Sequence, residues 1–497
     1  LRQRVDEIID GLAALQEDDG YLNAHFILAE PEKRWTNLRD WHELYCAGHL
    51  MEAAVAHHEA TGDGKLLDIV CRYADLIDWM FGPKAGQRRG CPGHQEIELA
   101  LVKLAAATGE QRYLDLAQYF IDERGCQPHF FLEEARRRGE DRGEFDPSEW
   151  EYNQSHAPSR KQHEVKGHAV RATYFYSAMT DLAHQPGQGE LRKTCRRLWD
   201  DLVQHQLYVT GSIGQTRRHE GFDEPFDLPN FTGYCETCAA IGLVFWAHRM
   251  LHLELDGRYA DVMERCLYNG ALSGVSQDGR AFFYANPLAV RSRLDPNQSG
   301  HSAPGAFRRQ PWFDCACCPT NVVRLLASIG KYICSVGPDR LAVHLYDQSR
   351  IEADVRGTHV NVHVRTEYPW RDRVRLRLEL DEPATFDLAL RVPGWCDGAA
   401  FLVGYRAVEA SRSHAAAAQG IDLIFHQRNE GRNDYSHPGQ GYGRGLITYR
   451  LAAACGQDDQ RIAPLQNAIH CLALVRQEPI VTPELLENPR QLVHEAP

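Results

Sequence analysis

The sequence predicts a mainly α protein in which a helical domain is followed by an antiparallel β-domain. From residue 1 to about 335, apolar residues recur mostly three or four positions apart, the spacing of amphipathic helices. A turn made of Thr, Gly and an acidic residue occurs at 61–63 and again at 108–110, which indicates a series of αα-hairpins. After about 338, apolar and polar residues alternate, as they do in strands.

The helical pattern is clearest in four stretches, and two repeated joints connect neighbouring helices. The stretches are 42–60 (HELYCAGHLMEAAVAHHEA), 65–80 (KLLDIVCRYADLIDWM), 97–107 (IELALVKLAAA) and 238–253 (CAAIGLVFWAHRMLHL). The joints are EATGDGKLLDIV and AATGEQRYLDLA, and the segment LELDGRYADVM is a less similar repeat of them. Five or six such helix pairs favour a closed helical toroid over an open solenoid. The chain opens in mid-helix with LRQRVDEIIDGLAALQ.

Four segments carry the strand pattern of the second domain. They are LAVHLY, HVNVHVRTEY, VRLRLEL and FDLALRV, each bounded by turn residues. The stretch 426–445 (HQRNEGRNDYSHPGQGYGRG) has no clear period and is predicted to be a loop.

Composition limits the classes of function. The 497 residues are enough for two or three domains. A net charge of −13 argues against nucleic-acid binding, and no apolar run reaches the about 18 residues that cross a bilayer. We therefore expect a soluble protein without a membrane partner. An odd count of fifteen cysteines, several of them single within helices, is typical of reduced thiols and favours the cytoplasm.

Five cysteines are concentrated in two short motifs, YCETCAA at 234–240 and DCACCPTN at 314–321. Thiolates are good zinc ligands, and a four-ligand site needs two such pairs. One hypothesis is a structural Cys₄ site made of Cys235, Cys238 and two cysteines of the second motif, and spacing alone favours it. A second hypothesis uses Glu236 and Cys238 with Cys317 and Cys318. A third has buried thiols and no metal.

Other polar residues lie where catalytic groups often occur, at loop–helix junctions. Glu220 lies on a glycine- and proline-bearing loop before the first cysteine motif, and His42, His94 and His168 precede helical stretches. Taken singly, such histidines are more often capping or solvated residues than catalytic ones.

Several motifs in order resemble one known family. They are HELYCAGHLMEAAVAHHEATGD, GCPGHQEIELALVKLAAATGE, LYVTGSIGQ with EGFDEPFDLPN and YCETCAAIG, FFYANPL, and ACCPTN. Together they resemble the glycoside hydrolase family (family 127) of zinc- and cysteine-dependent β-L-arabinofuranosidases. The similarity covers residues 5–335 and continues weakly to RVPGWC at 391–396. It implies an (α/α)₆ barrel catalytic domain over 1–335, with its N-terminal part missing, and an antiparallel β-sandwich domain over 338–497, which is poorly defined after 397.

The resemblance also implies a set of site residues. The zinc ligands would be Glu236, Cys238, Cys317 and Cys318. Cys317 would be the nucleophile and Glu220 the general acid/base, and the sugar would be bound by His42, His94, His168 and Tyr284. Because Pro319 restricts the chain before a helix predicted to begin at Asn321, Cys317 is expected on the freer, loop side.

The function implied is release of terminal β-linked L-arabinofuranose from a small glycoside or oligosaccharide with retention of configuration. One alternative is another (α/α)₆ sugar enzyme, an epimerase or an unsaturated-uronide hydrolase, which would not need the cysteine motifs. Another is a non-catalytic carbohydrate-binding protein with structural zinc. A homodimer is compatible with the sequence, which does not determine the oligomeric state.

Overall fold

The computed structural model describes residues 1–289, 308–380, 384–396, 398–407, 417–426 and 447–452. The chain divides into two compact units. The first comprises Leu1–Glu254 and Val262–Leu325, and the second comprises Leu255–Asp261 and Leu326–Pro497.

The chain up to residue 327 is largely helical, and the four predicted helices are confirmed to within one or two residues. The helices are α1 (Arg2–Leu15), α2 (Ala24–Leu28), α3 (Glu43–Thr61), α4 (Lys65–Met80), α5 (Ile97–Thr108), α6 (Gln111–Glu123), α7 (Phe130–Arg137), α8 (Ala169–Ala183), α9 (Gly189–Asp201), α10 (Thr237–Leu253), α11 (Gly257–Arg265) and α12 (Cys317–Ala327). None of the helices among the described residues is both long and apolar enough to cross a membrane.

The repeated Thr-Gly-acid joint ends two of these helices in the same way. Gly62 and Gly109 follow α3 and α5 with φ of 73° and 76°, and each donates its N–H to a carbonyl of the last helical turn at 2.8 Å. A left-handed residue at this place favours glycine, because a side chain there would clash with the backbone. The predicted αα-hairpins α3–α4 and α5–α6 are confirmed, since the helices of each pair pack against each other.

Two kinds of helix build the first unit. Nearly every residue of α8 and α10 is buried, whereas α4, α6 and α9 bury one face and expose the other. A helix that is buried all round must have neighbours on every side. The packing shows this, because α3, α5, α8 and α10 follow one another as neighbours, while α4 packs on α3, α6 on α5 and α9 on α8.

Among its described residues, the second unit contains two β-sheets. The strands are β1 (Cys334–Val336), β2 (Arg340–Val343), β3 (Ser349–Val355), β4 (Thr358–Thr366), β5 (Arg373–Leu380), β6 (Thr385–Leu390), β7 (Gly398–Ala407), β8 (Ala417–His426) and β9 (Ile447–Ala452). One sheet has the order β1-β2-β6-β9 and the other β3-β4-β5-β8-β7. All four predicted strands are present.

The prediction of a purely antiparallel domain is wrong at one place, because β2 and β6 pair in parallel, with Leu341 opposite Leu388. Almost fifty residues separate these partners in the sequence, and alternation alone cannot reveal the direction of such a distant pairing. Alternate residues of the strands, such as Val362 on β4 and Leu378 on β5, form the buried core. The loop predicted at 426–445 lies outside the described residues, apart from His426 at the end of β8.

Candidate active site

The first cysteine motif lies at the start of α10. Glu236 is the residue before this helix and Cys238 is in its first turn. A bridge between the backbones of Glu236 and Ala285 and a hydrogen bond from the Thr237 N–H to the Tyr284 carbonyl (2.9 Å) attach this helix start to the FFYANPL segment. The local backbone therefore places Glu236, Cys238 and Tyr284 side by side.

The second motif forms the start of α12, which begins at Cys317 and not at Asn321 as predicted. Pro319 is the third helical residue, a position where the missing N–H costs nothing because the first four N–H groups of a helix have no partner within it. Cys317 is thus a helical residue and not a loop residue. It is half-buried, whereas Cys318 is completely buried.

The two helix starts bring four potential ligands together. One ligand atom from each of Glu236, Cys238, Cys317 and Cys318 lies within 4.8 Å of the others. Cys238 Sγ is 3.5 Å from Cys318 Sγ, and Glu236 Oε1 is 3.5 Å from Cys317 Sγ and 3.7 Å from Cys318 Sγ. Three sulfurs and one carboxylate form a donor set that could hold a metal ion.

The electrostatics of this group fit a cation. Glu236 is buried, and its Oε2 has no hydrogen-bond partner within the described part of the chain. Burial, followed by the nearby Cys317 and Glu220, raises the pKa of Glu236 well above its usual value, and burial likewise raises the pKa of Cys318. Buried anionic groups are normally paired or bound to metal. A cation among these side chains would stabilise their ionised forms.

The structural Cys₄ site favoured by spacing is not formed. Cys235 has a left-handed backbone (φ 45°), and its N–H donates to the Gly214 carbonyl (2.8 Å). This left-handed residue turns Cys235 out of the group that contains Cys238. Cys315 is exposed and lies 3.8 Å from the Tyr284 hydroxyl, beside the group but not in it.

Glu220 is placed by a close approach of two backbone segments. It has φ of 50°, and the next residue, Gly221, pairs with His168 in an antiparallel bridge. The Ala169 N–H donates to the Glu220 carbonyl at 3.2 Å, and the Phe222 N–H donates to the Gly167 carbonyl at 2.9 Å. This pairing brings the loop that carries Glu220 to the start of α8.

Replacing Gly221 by alanine tests this placement. A Cβ at position 221 would lie 1.8 Å from the Gly167 carbonyl oxygen, so the two segments must separate. We expect Gly221→Ala to lower the free energy of unfolding by roughly 1–3 kcal/mol, as overpacking does, measured by urea denaturation. Gly11→Ala is the control, because position 11 lies within α1 with no atom near its Cβ, and alanine there should stabilise by about 0.5–1 kcal/mol. Equal effects of the two substitutions would contradict the close approach.

His168 contacts Glu220 directly. Its Nδ1 accepts hydrogen bonds from the N–H groups of Val170 (3.1 Å) and Arg171 (3.4 Å), capping α8, so in the neutral ring the proton must be on Nε2. That Nε2–H donates to Glu220 Oε2 at 3.1 Å, and burial lowers the pKa of His168. A neutral histidine with fixed orientation therefore holds Glu220. The family resemblance associated His168 with the sugar, and the sequence did not reveal its contact with Glu220.

His42 and His94 form a row of rings with His168, in which neighbouring ring centroids are 5.8 Å apart. His42 Nδ1 donates to the Asp40 carbonyl (2.9 Å) and His94 Nδ1 donates to the Gln95 carbonyl (2.8 Å). Burial lowers the pKa of both histidines, which favours neutral rings. Each then has Nε2 as an acceptor, as a sugar hydroxyl requires.

Tyr284 lies at the sulfur that the resemblance implied as nucleophile. Its hydroxyl is 3.1 Å from Cys317 Sγ, and burial together with Glu236 and Cys317 raises the pKa of the phenol. The hydroxyl therefore stays protonated beside the sulfur. The structure thus shows Tyr284 in contact with Cys317, which the sequence did not indicate.

Sequence analysis also missed two residues that line this region. The Arg171 guanidinium lies 4.4 Å from the ring centroid of Tyr152 and donates to the Gly93 carbonyl at 2.6 Å. The Tyr152 ring is 5.5 Å from that of His168. The motif GHAVRA could have indicated Arg171, because a residue three positions after His168 returns to the same side of α8.

The predicted site residues are therefore largely brought together. A second group consists of one carboxylate oxygen from each of Glu220 and Glu236 and one ring nitrogen of His168. These three atoms lie within 4.8 Å of one another. Because Glu236 belongs to both groups, this second group lies next to the sulfurs of Cys238, Cys317 and Cys318. His94 and His42 extend the same row of side chains beyond His168.

The chain is similar to known proteins over most of its length. The model of the family described as "Beta-L-arabinofuranosidase, GH127 catalytic domain" matches residues 1–331, and the "GH127 middle domain" matches 340–416. The curated non-reducing end β-L-arabinofuranosidase of Bifidobacterium longum is 37% identical over 412 residues, which are 80% of this chain and 61% of that protein. The chain therefore spans less than two thirds of the length of this relative.

Several solved structures share the fold, among them two GH127 proteins. The first, Ara127N-Se, a GH127 β-L-arabinofuranosidase from Geobacillus stearothermophilus T6, is 44% identical with a TM-score of 0.80, covering 90% of this chain and 72% of that one. The second, the GH127 β-arabinofuranosidase BT3674, is 33% identical with a TM-score of 0.72, covering 90% and 70%. Because the catalytic-domain model matches 331 of its 497 residues, the chain belongs to the GH127 β-L-arabinofuranosidase family of glycoside hydrolases.

Proposed function

We propose that the protein is a retaining glycoside hydrolase that releases terminal β-linked L-arabinofuranose from an oligosaccharide or small glycoside. One observation carries the proposal. The Glu220 carboxylate, held by His168, and the half-buried Cys317 sulfur both lie beside Glu236. A retaining glycosidase needs an acid/base and a nucleophile at the same anomeric carbon, and this group supplies both.

Differences in exposure support the assignment of the nucleophile. Cys318 is completely buried, whereas Cys317 is half-buried and so can be approached by a substrate. The Glu220 side chain is 32% exposed, which also leaves it accessible. The Tyr284 hydroxyl at 3.1 Å can orient the Cys317 sulfur by a hydrogen bond. Access therefore favours Cys317 over Cys318, although both belong to the same ligand group.

The reaction would proceed in two balanced steps. The Cys317 thiolate attacks the anomeric carbon, the glycosidic C–O bond breaks, and the departing oxygen takes the electron pair and a proton from Glu220. The sugar is then bound to Cys317 through a C–S bond. In the second step, Glu220 removes a proton from water, the water oxygen attacks the anomeric carbon, and the thiolate departs with the electrons of the C–S bond.

We propose zinc as the metal, held by Glu236, Cys238, Cys317 and Cys318, because a thiolate-rich donor set suits this ion. Zinc would keep the Cys317 sulfur in its thiolate form and make it a better leaving group. The neutral rings of His42 and His94 would accept hydrogen bonds from sugar hydroxyls through Nε2. His168 would act mainly by orienting Glu220.

The family assignment extends this proposal to the fold. We propose that the helices of residues 1–335 form an (α/α)₆ barrel that carries the catalytic groups, followed by a β-sandwich from 338 onward. The helices α3, α5, α8 and α10 are consecutive neighbours, with α4, α6 and α9 packed on the first three and the helical segment 266–271 packed on α10, which agrees with consecutive hairpins of such a barrel.

An activity screen tests the function. Purified protein is assayed against aryl β-L-arabinofuranosides and against aryl glycosides of other sugars, with and without a zinc chelator. We expect release of the aryl group from the L-arabinofuranosides only, loss of this release after chelation, and recovery with added zinc. Binding of the sugar without turnover would instead favour a non-catalytic carbohydrate-binding protein.

Metal content tests the ligand set. We expect about one zinc per chain by elemental analysis, the stoichiometry of a single four-ligand site. Cys238→Ser should lower the zinc content, because it removes a sulfur from the group. Cys235→Ser is the matched control, since Cys235 is also buried and only three residues away but is turned out of the group. Equal zinc loss in both variants would restore the Cys₄ hypothesis.

A further inference from the structure

We propose that Arg171 is a positioning residue for the row of histidine rings, because its side chain joins the loop that carries His94 to the helix that follows His168. This inference rests on the proposed function, in which the His94 ring accepts a hydrogen bond from the sugar. It adds a residue that acts through His94 and through the neighbours of that histidine.

Arg171 is a buried arginine whose contacts are not with a carboxylate. It is 5% exposed, and within the described part of the chain it forms no ion pair. Its Nη1 donates to the Gly93 carbonyl at 2.6 Å, and its guanidinium lies 4.4 Å from the centroid of the Tyr152 ring. Because a buried cation normally has an anionic partner, these two contacts must take the place of one.

The hydrogen bond from Arg171 reaches the residue directly before His94. The Gly93 carbonyl accepts it together with a hydrogen bond from Asn153 Nδ2 at 2.8 Å. Both donors are buried, and a charged donor forms the stronger hydrogen bond of the two. The backbone that leads into His94 is therefore held mainly by Arg171.

Gly93 also joins the loop of His94 to the loop of His42. The Gly93 N–H donates to the Leu38 carbonyl at 2.8 Å, and a Cβ at position 93 would lie 1.8 Å from the Arg39 carbonyl oxygen. The two loops are therefore in direct backbone contact. Fixing Gly93 thus fixes the relative position of the His42 and His94 rings, whose centroids are 5.8 Å apart.

The third ring of the row, that of His168, is connected to the same arginine. The Arg171 N–H donates to His168 Nδ1 at 3.4 Å. The Tyr152 ring, on which the guanidinium lies, is 5.5 Å from the His168 ring. Since His168 holds Glu220, Arg171 keeps the proposed sugar-binding histidines aligned with the proposed acid/base.

The charge of Arg171 supports this role. A guanidinium stays protonated in proteins. Its positive charge acts together with burial, which is the larger cause, to lower the pKa of His42, His94 and His168. Neutral rings of His42 and His94 keep an Nε2 acceptor for a sugar hydroxyl, so position and charge favour the same state.

Hydrogen exchange of the full chain, followed by mass spectrometry, tests the positioning directly. Arg171→Met removes the charge and the donors at similar length. We expect the peptide that spans 92–96 to exchange about 10-fold faster, because a charged hydrogen bond that holds this loop is lost. Exchange in α4 should not change, which separates a local opening from a general loss of stability. Arg171→Lys keeps the charge and one donor, so its exchange should be intermediate.

Arg192→Met is the matched control. Arg192 also donates to a backbone carbonyl, that of Ala183 at 3.1 Å, but this carbonyl lies at the opposite end of α8 from His168. The variant should leave exchange at 92–96 and the kinetics of hydrolysis as they are in the unchanged protein.

Kinetics on the same variants test the consequence for the sugar. We expect Arg171→Met to raise the KM of an aryl L-arabinofuranoside about 10-fold, because the ring of His94 is no longer held in place. Its kcat should fall by about threefold at most, since the hydrogen bond between His168 and Glu220 remains. Arg171→Lys should recover part of the loss in KM.

The two measurements separate two kinds of failure. If exchange and KM of folded Arg171→Met equalled those of Arg192→Met, the inference would be overturned. Should the methionine variant not fold, the same comparison with Arg171→Lys decides. Absence of hydrolysis by the unchanged protein would instead overturn the proposed function, while hydrogen exchange would still show whether Arg171 fixes the loop of His94.

Discussion

Replacing Cys317 by alanine is expected to abolish turnover of an aryl L-arabinofuranoside, with kcat falling roughly 10⁴-fold or more, as when other covalent nucleophiles are removed. Alanine cannot form the C–S bond, so neither step of the proposed reaction remains. The three other ligands of the group should still retain part of the zinc, measured by elemental analysis on the same preparation.

Cys235→Ala provides the control for this experiment. Cys235 is a buried thiol of the first cysteine motif but lies outside the ligand group, so the variant should keep near-normal turnover and zinc. Near-normal hydrolysis by Cys317→Ala would show that the thiolate mechanism is wrong for this protein.

Covalent labelling identifies the reacting sulfur independently of rates. An L-arabinofuranose analogue that carries a haloacetamide should alkylate Cys317, located by peptide mass spectrometry. Cys318 should remain unlabelled, because it is completely buried. Labelling at Cys318 or at Glu236 would overturn the assignment of the nucleophile while leaving the metal group intact.

Replacing Glu220 by glutamine is expected to affect substrates according to their leaving groups. A poor leaving group needs a proton in the first step, so its kcat/KM should fall roughly 10²–10⁴-fold, the usual contribution of a positioned acid. An activated aryl group departs without that proton, so its kcat/KM should fall much less. The ratio of the two losses, measured with an alkyl and a nitrophenyl L-arabinofuranoside, is the decisive quantity.

The same loop offers a matched control for the Glu220 variant. Glu224 is four residues further along and exposed, so Glu224→Gln removes a similar charge without touching the site. It should leave the kinetics of both substrates unchanged. If Glu220→Gln behaved like Glu224→Gln, Glu220 would be an ordinary solvated carboxylate and another group would have to supply the proton.

Much of the local structure followed from residue spacing. The spacing of apolar residues predicted α3, α4, α5 and α10 nearly to their ends. Burial of one face imposes a period of three to four residues on a helix such as α4, whereas α10 is apolar and buried on most sides. The Thr-Gly-acid joints predicted the hairpins because glycine at Gly62 and Gly109 permits the left-handed ending. Alternation of apolar and polar residues predicted β4 and β5, because in a strand with one buried face every second side chain points into the core.

The candidate site depended partly on the resemblance and partly on contacts that spacing cannot express. Motif similarity selected Glu236 over Cys235, whereas C-x-x-C spacing alone favoured Cys235. The structural reason is the left-handed backbone at Cys235, which turns its thiol away. Local sequence does not reveal such a conformation, because it is maintained by hydrogen bonds to segments distant along the chain.

The remaining features of the site depend on long-range packing. The sulfur of Cys317 and the carboxylate of Glu236 come from positions 81 residues apart, and the His168–Glu220 hydrogen bond joins residues 52 apart. Periodicity reports which face of a helix is buried, but not which distant side chain lies opposite it. The residue types and helices could therefore be inferred from the chain alone, while the partners of His168 and Tyr284 arise when the helices pack and bring their ends together.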